Sequence, residues 1–214
     1  MLCDTMGNAP PAGAVVLFDG NLDGWTNKEG SAAEWKVSDG AVEVVPSTGD
    51  IATVATFEDH YLHLEFRLSD MPEATGQHKS NSGVFLQGRY EIQVLDSSGW
   101  ERPGLGDCGA VYDQSAPLTN ACRPALEWQT YDAIFRAPRC EGKVVKENAR
   151  LTLFFNGVLV HNNVEIPHVT GAPTDTNVQL PGCLRLQAHS NVVWYRNIWA
   201  LPLLAAGSST YGPA

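Results

Sequence analysis

The sequence lacks long hydrophobic runs, Cys-X-X-Cys pairs and any convincing helical pattern of ten residues. A membrane-spanning helix needs about 20 apolar residues, so no membrane span is predicted. The five cysteines do not have zinc-finger spacing, which argues against a structural zinc site. With helices missing from the pattern, the fold must be built from strands.

Basic side chains are scarce. The 214 residues include 14 Lys and Arg against 24 Asp and Glu, a formal charge of -10. Such a charge repels polyphosphate backbones, so no nucleic-acid partner is predicted. It favours neutral or cationic partners, but it does not identify a substrate.

Cys108 and Cys122 bracket a loop that is rich in glycine, proline and asparagine. A disulfide would stabilise such an irregular segment, and we predict one between them, with a pair of buried thiols as the alternative. The beginning of the chain has no basic and apolar signal region. That fits either a cytosolic protein or one whose leader has been removed.

Short alternating segments separated by turn pairs fill most of the chain. YLHLEFRLS places Leu62, Leu64 and Phe66 on one face, while His63 lies on the other and is interpreted as exposed. Asn156-Gly157 is the strongest two-residue hairpin signal in the chain. The pattern predicts an all-β fold, a jelly-roll sandwich of two curved antiparallel sheets.

The chain divides into three predicted parts. Small, polar and proline-bearing residues 1–13 predict a disordered lead-in. Residues 14–204 form a single jelly-roll domain, and residues 205–214 form a mobile tail. One domain suits a β-protein of this length.

The stretch NSGVFLQGRYEIQVLD, residues 81–96, is the centre of the functional prediction. Its second strand alternates apolar residues with Glu91 and Gln93. An acid and an amide are costly to bury without partners, so we expect them to line a wet concavity. The alternative is that both are ordinary solvent-facing residues.

Further polar side chains come from the last two strands. Arg185, Gln187 and His189 share one face of LRLQAHS, and Arg196 lies between Trp194 and Ile198. If these strands neighbour the central hairpin, a carboxylate, an imidazole and guanidinium groups meet in one groove and form an acid-base site. Alternatively, His189 bonds to the backbone at a strand end and Arg196 ties the last strand to its neighbour.

Side chains at loop or strand ends complete the predicted groove. Arg89, Tyr112 and Trp128 could stack on a sugar ring or clamp its hydroxyls. Asp96 is either catalytic or a turn cap, because Ser97, Ser98 and a glycine follow it. Glu91 and Asp96 point to opposite faces of a regular strand, which argues against a two-carboxylate glycosidase.

Six motifs follow one another in order between about Val15 and Leu203: LFDGNLDGW, NSGVFLQGRYEIQVLD, GDCGAVY, LEWQTYD, FNGVLVHNNVEIP and LRLQAHSNVVWYRNIW. Together they resemble the 3-keto-disaccharide hydrolase family, which has a concanavalin-like jelly-roll fold. The resemblance implies a periplasmic or secreted carbohydrate-active enzyme that cleaves glycosides oxidised at C3. The implied partner is a glycoside.

Such chemistry suits these residues. A C3 ketone acidifies the C2 proton, so a single base, Glu91 or His189, can remove it and the anomeric substituent can leave. Arg89, Arg196 or a divalent cation would stabilise the enolate oxygen. Candidate ligands for a calcium or transition-metal ion are Glu91, Asp96 and His189, and no organic cofactor is expected.

The chain departs from the family pattern at the penultimate strand. The family usually has LQ-Asp-His-Gly there, whereas this chain has Gln187, Ala188, His189 and Ser190. If the missing carboxylate orients the histidine or binds a cation, activity is weakened, altered or absent. Two other functions remain open: a non-catalytic carbohydrate-binding module, and a conventional laminarinase-type β-glucan glycosidase with a second carboxylate near Glu91.

Overall fold

The structure, a computed structural model, describes residues 4–204 and is built from antiparallel strands. Within that range the helical elements are two short 3-10 turns, Pro46–Thr48 and Gly76–His78. No helix there is long and apolar enough to cross a membrane. The strands are β1 (Val15–Phe18), β2 (Trp25–Asn27), β3 (Lys36–Ser38), β4 (Ala41–Glu43), β5 (Ile51–Phe57), β6 (His60–Leu68), β7 (Asn81–Leu86), β8 (Tyr90–Leu95), β9 (Trp128–Arg136), β10 (Arg139–Glu141), β11 (Val144–Glu147), β12 (Ala149–Phe155), β13 (Val158–Ile166), β14 (Gly182–Leu186) and β15 (Val193–Pro202).

Two sheets make the sandwich. The larger sheet has the order β13-β12-β9-β6-β15-β4-β3, with β1 also pairing with β15. The smaller sheet has the order β2-β5-β14-β7-β8, and β10 and β11 form a separate hairpin. The predicted all-β, antiparallel jelly-roll sandwich is confirmed.

Tight turns join neighbouring strands where the sequence supplies residues that tolerate positive φ. Asn156 and Gly157 have φ angles of 51° and 75° between β12 and β13, which confirms the predicted hairpin. Gln87 and Gly88, with φ angles of 52° and 66°, turn β7 into β8. This second turn fixes the register of the strands that carry Glu91.

The core lies between the two sheets. Leu62, Leu64 and Phe66 are buried on the inner face of β6, as their alternation predicts. The ring of Phe66 packs 4.7 Å from that of Tyr131, which in turn lies 4.9 Å from the ring of Phe155. These aromatic contacts tie β6, β9 and β12 together and hold the larger sheet as a rigid support.

The first described residues contact the larger sheet. Within the predicted lead-in 1–13, Thr5 donates a hydrogen bond to Asp132 and the Gly7 N–H donates one to Glu65 at 2.6 Å. The segment 4–8 lies against the outer face of the larger sheet. The predicted mobile tail, 205–214, lies outside the described residues.

The predicted disulfide is not present. Cys108 and Cys122 are free thiols in the structure and hydrogen-bond neighbours of each other. Burial raises the pKa of the Cys108 thiol, and the Cys108 hydrogen bond lowers that of Cys122. The alternative prediction, a pair of buried thiols, agrees with the buried Cys108 but only in part with Cys122, which is half-buried.

Part of the long loop after β8 behaves as an extra strand. The Gln93 N–H donates to the Ala110 carbonyl at 2.9 Å, the Gly109 N–H donates to the Gln93 carbonyl at 2.9 Å, and the Tyr112 N–H donates to the Glu91 carbonyl at 3.1 Å. The segment 109–112 thereby covers the open edge of β8. It also brings Tyr112 next to the strand that carries Glu91.

Candidate active site

A cavity of about 230 Å³ lies on the face of the smaller sheet that points away from the core. It brings Glu91 and His189 together, although 97 positions separate them in the chain. The lining residues are Gln77, Asn81, Glu91, Gln93, Tyr112, Gly171, Ala172, Gln187 and His189. Predicted site residues Gln93, Tyr112 and Gln187 therefore share the cavity with the predicted catalytic pair.

Strand register explains this convergence. Arg185 on β14 is paired with Phe85 on β7, which is paired with Glu91 on β8. Two residues further along the strands, Gly83 is paired with Gln93, and the Gly83 carbonyl accepts the Gln187 N–H at 2.9 Å. Side chains two apart on a strand share a face, so both rows point into the same space.

Gly83 makes the room that the Glu91 side chain occupies. A Cβ atom at position 83 would lie 2.3 Å from Glu91 Oε1, well inside contact distance. The carboxylate therefore lies across the glycine at the centre of β7. Any larger residue there would displace it.

Glu91 is an unusual carboxyl group. It is 4% exposed, and burial raises its pKa to about 8. The positive charge of Arg185 opposes this rise, whereas the charge of Asp50 adds to it. A carboxyl group with a pKa near neutrality can both accept and donate a proton at physiological pH.

Arg185 supports the site from the side. Its guanidinium stacks 3.7 Å above the centre of the Phe85 ring and donates to the Ala172 carbonyl at 2.6 Å. It also pairs with Asp50 at 3.2 Å, whose other oxygen accepts the Ala188 N–H at 2.8 Å. Arg185 is thus held in place beside Glu91 and is not among the residues that line the cavity.

His189 and Gln187 lie at the more open side. His189 is exposed and Gln187 is half-buried. The carbonyl of Gln187 accepts the Ser82 hydroxyl at 2.6 Å, and that hydroxyl in turn accepts from Tyr195 at 2.7 Å. These two hydrogen bonds anchor the end of β14 to the larger sheet and so position the side chains of Gln187 and His189.

Four predicted site residues lie elsewhere. Arg89 pairs with Asp175 at 2.7 Å and donates to the Leu180 carbonyl, so its guanidinium is committed to a loop. Asp96 pairs with Lys79 at 2.9 Å. Arg196 and Trp128 belong to the larger sheet, where their side chains stack at 4.0 Å. The sequence placed Arg196 and Trp128 in one groove with Glu91. They lie outside the cavity because β15 and β9 belong to the larger sheet.

The outer face of the larger sheet holds a second buried ionic cluster. His63, predicted to be exposed, is 0% exposed and pairs with Asp132 at 2.8 Å, while Arg196 pairs with Glu65 at 2.6 Å. The segment 4–8 covers this cluster. Its two carboxylates raise the pKa of His63 against the effect of burial, and its hydrogen bonds lower the pKa of Glu65 to about 2.

The predicted metal ligands do not converge. Asp96 is held by Lys79, which leaves only Glu91 and His189 of the three candidates in the cavity. Residues 4–204 contain no group of three or more His, Cys, Asp or Glu placed to hold a metal ion. This donor set does not fit a protein-held cation.

Sequence reasoning missed Gln77, Asn81 and Gly83. Gln77 comes from a polar loop without periodicity, so nothing in the local pattern distinguished it from a solvated residue. Asn81 and Gly83 belong to the segment NSGVFL, residues 81–86. The small residues Ser82 and Gly83 within a strand could have indicated a place where another group approaches the backbone closely.

The family model and a solved relative show that this jelly-roll chain is a glycosyl-hydrolase-like, carbohydrate-active domain. The chain belongs to the family of the 3-keto-alpha-glucoside-1,2-lyase-like domain, whose sequence profile matches residues 13–201. The resemblance noted from the six motifs is therefore confirmed. No curated protein matched the chain.

Solved structures agree with this assignment. One candidate glycosyl hydrolase from Parabacteroides distasonis ATCC 8503 is 37% identical, with a TM-score of 0.83, over 90% of this chain and 85% of that one. Another from the same organism is 18% identical, with a TM-score of 0.67, over 92% of this chain and 99% of that one. The second shows the common fold alone.

Proposed function

We propose that this protein cleaves glycosides whose sugar is oxidised at C3, by removing the C2 proton and expelling the anomeric substituent. The observation that carries the proposal is Glu91, a buried carboxyl group with a pKa raised to about 8, in a cavity shared with His189. Family membership supports the substrate class. A keto-sugar needs only one base, which suits a cavity whose lining contains one carboxylate.

Glu91 acts as the base. Its ionised form takes the C2 proton, and the electron pair forms an enolate whose negative charge rests on the C3 oxygen. Reforming the ketone with a C1–C2 double bond expels the anomeric oxygen, to which the exposed His189 donates a proton. Water then adds across the double bond to complete hydrolysis.

The amide of Gln187 stabilises the enolate. Arg89 and Arg196, the stabilisers expected from the sequence, lie outside the cavity, so the oxyanion needs another donor. Gln187 lines the cavity, and its side-chain N–H groups can donate to the C3 oxygen. Arg185 adds a positive charge near Glu91 that favours the ionised base.

The test is release of 4-nitrophenol from 4-nitrophenyl 3-keto-α-glucoside. We expect release by the native protein and a loss of about 10²- to 10⁴-fold in Glu91→Gln, the size of a general-base contribution. His189→Ala should lose less with this activated leaving group, which needs little protonation. Arg89→Lys, whose site is the Asp175 loop, serves as the matched control.

Two results would contradict the proposal. One is no release by the native protein with or without added Ca²⁺, Mn²⁺ or Zn²⁺. The other is undiminished release by Glu91→Gln. The metal additions and a parallel assay with EDTA also test the predicted divalent cation.

The carbohydrate-binding module is the second candidate, and the departure at Ala188 favours it, because the family motif has a carboxylate there. It predicts binding of unoxidised glycans without turnover. A laminarinase-type glycosidase is disfavoured because, within residues 4–204, Glu91 is the one carboxylate that lines the cavity and the nearby Asp50 is paired with Arg185. Cleavage of ordinary β-glucan would restore it. Periplasmic or secreted location, implied by the family, stays a prediction that cell fractionation can check.

A further inference from the structure

Three amide side chains form a connected cluster along one wall of the cavity. Gln77 donates to the Gly106 carbonyl at 2.7 Å, and its Oε1 atom accepts from Asn81 at 3.1 Å and from Gln93 at 2.9 Å. Asn81 also donates to the Gln77 carbonyl at 2.7 Å, and Gln93 to the Gly106 carbonyl at 3.3 Å. The cluster links β7, β8 and the long loop.

Backbone carbonyls fix the orientation of every amide in this cluster. A carbonyl oxygen only accepts hydrogen bonds, so the groups that face Gly106 must be the NH₂ ends of Gln77 and Gln93. Exchanging the O and N atoms of Gln93 would place its oxygen against two other oxygens. The Gln93 Oε1 atom is therefore compelled to point away from the cluster.

That oxygen is a buried acceptor without a donor. Gln93 is 1% exposed and lines the cavity, and no group within residues 4–204 donates to its Oε1 atom. Leaving a buried acceptor unpaired costs free energy that a bound hydroxyl group would recover. Gln93 thus brings to the cavity lining a buried, unpaired acceptor that does not titrate with pH.

We infer that Gln93, oriented by Gln77 and Asn81, accepts a hydrogen bond from a hydroxyl group of an uncharged sugar and makes the site selective for neutral glycosides over uronates. This deepens the proposed function and rests on it. Gln77 and Asn81 are positioning residues, since they act through Gln93. The sugar hydroxyl is one that survives oxidation, at C4 or C6.

Charge supports the preference for neutral sugars. A uronate carboxylate offers only acceptors, which repel Gln93 Oε1, and its negative charge opposes ionisation of Glu91. In the described part of the chain, no Lys or Arg lines the cavity. The neighbouring Arg185 is already engaged by Asp50 and the Ala172 carbonyl.

The experiment measures both binding and turnover. Calorimetry on the Glu91→Gln protein, in which the sugar is not consumed, gives affinities for the 4-nitrophenyl 3-keto-glucoside, its 4-deoxy and 6-deoxy analogues and the 3-keto-glucuronide. We expect one deoxy analogue to bind about 10- to 100-fold more weakly, the usual effect of an unpaired buried acceptor. Where the 6-deoxy analogue is the weak one, the glucuronide should bind at least as weakly, because its carboxylate replaces the C6 hydroxyl and cannot donate to Gln93.

Combining this series with Gln93→Met isolates the contact. Methionine keeps the length of the side chain but removes the acceptor, so the penalty for the deoxy analogue should fall to about 1-fold. Gln77→Met should also reduce it, because Gln93 can then rotate, while Gln179→Met, an exposed site, should leave it unchanged. Release assays on the Glu91-containing proteins should show the same ratios in kcat/KM.

The outcomes separate the two proposals. Equal binding of both deoxy analogues and the parent, or a deoxy penalty that persists in Gln93→Met, overturns the hydroxyl contact. Equal or tighter binding of the glucuronide overturns the selectivity. Either result with normal release of nitrophenol leaves the proposed function intact, whereas binding as expected without release by the native protein rejects the chemistry alone.

Discussion

At the scale of single residues, the site depends on a few exceptions to ordinary strand composition. Alternation in the sequence placed Glu91, Gln93, Gln187 and His189 on cavity-facing positions, and the structure brings them together. It could not reveal Gln77, because a loop residue is positioned by hydrogen bonds to distant backbone rather than by a local period. The environment of Glu91 was equally hidden, since its burial comes from the loops that fold over the sheet.

The first residue-scale prediction concerns pH. If Glu91 is the base, kcat/KM should rise with pH through about 8 and then level off, because the ionised fraction rises. Stability should change in the opposite direction: a carboxyl group whose folded pKa is raised loses stability as pH increases from its unfolded value towards 8. Glu91→Gln should remove this pH dependence, which amounts to up to about 5 kcal/mol in the free energy of unfolding at pH 9. Urea unfolding at several pH values measures it, and equal slopes in both proteins would contradict the raised pKa.

The second concerns Gly83. Gly83→Ala should lower kcat/KM by 10-fold or more and destabilise the fold by about 1–3 kcal/mol, because the new methyl group overlaps the Glu91 carboxylate. Activity assays and thermal unfolding report the two effects. Gly104→Ala is the control, since its Cβ would meet nothing closer than 3.4 Å. An active, fully stable Gly83→Ala protein would mean that Glu91 does not need that space.

At the scale of elements, the sequence predicted two antiparallel sheets but not which strands belong to each sheet. Turn pairs and alternation gave the strands, but which strands neighbour one another is decided by long-range pairing that no local pattern encodes. Because β15 pairs with β6, Arg196 lies beside Glu65 on the larger sheet and not in the cavity. The same pairing built the ionic cluster that residues 4–8 cover.

That cluster supports an element-scale prediction. Asp132→Asn should destabilise the protein by about 3 kcal/mol, since it leaves His63 with one carboxylate fewer in a buried site. The raised pKa of His63 means that its stabilising effect is present below the unfolded pKa of about 6.5 and is lost as pH rises through the folded value. The variant should therefore lose that part of the pH dependence.

Denaturant unfolding between pH 5 and 9 checks this prediction. Glu165→Gln, at a surface pair whose carboxylate side chain is 51% exposed, is the control and should change stability by less than about 0.5 kcal/mol. Nitrophenol release should be unaffected at neutral pH, because the cluster belongs to the other sheet. A stable Asp132→Asn protein would show that the His63–Asp132 pair contributes little to stability.

At the scale of the whole molecule, one core serves both sheets. Phe155→Ala should cost about 3–5 kcal/mol, because Phe155 is 0% exposed and contacts Phe66 and Tyr131. Loss of nitrophenol release and loss of tertiary fluorescence should then occur at the same denaturant concentration. Val54→Ala, a site that is 66% exposed, should change stability little. Separate transitions for activity and fluorescence would show that the sheets unfold independently.

The backbone hydrogen bonds between β8 and residues 109–112 can report whether the cavity is intact. The amide protons of Gln93, Gly109 and Tyr112 are shared between the strand behind Glu91 and the loop that delivers Tyr112. Any opening of that loop must release these protons to solvent at the same moment as it dismantles the wall of the cavity. Their deuterium uptake would therefore report how often the site comes apart, without any substrate.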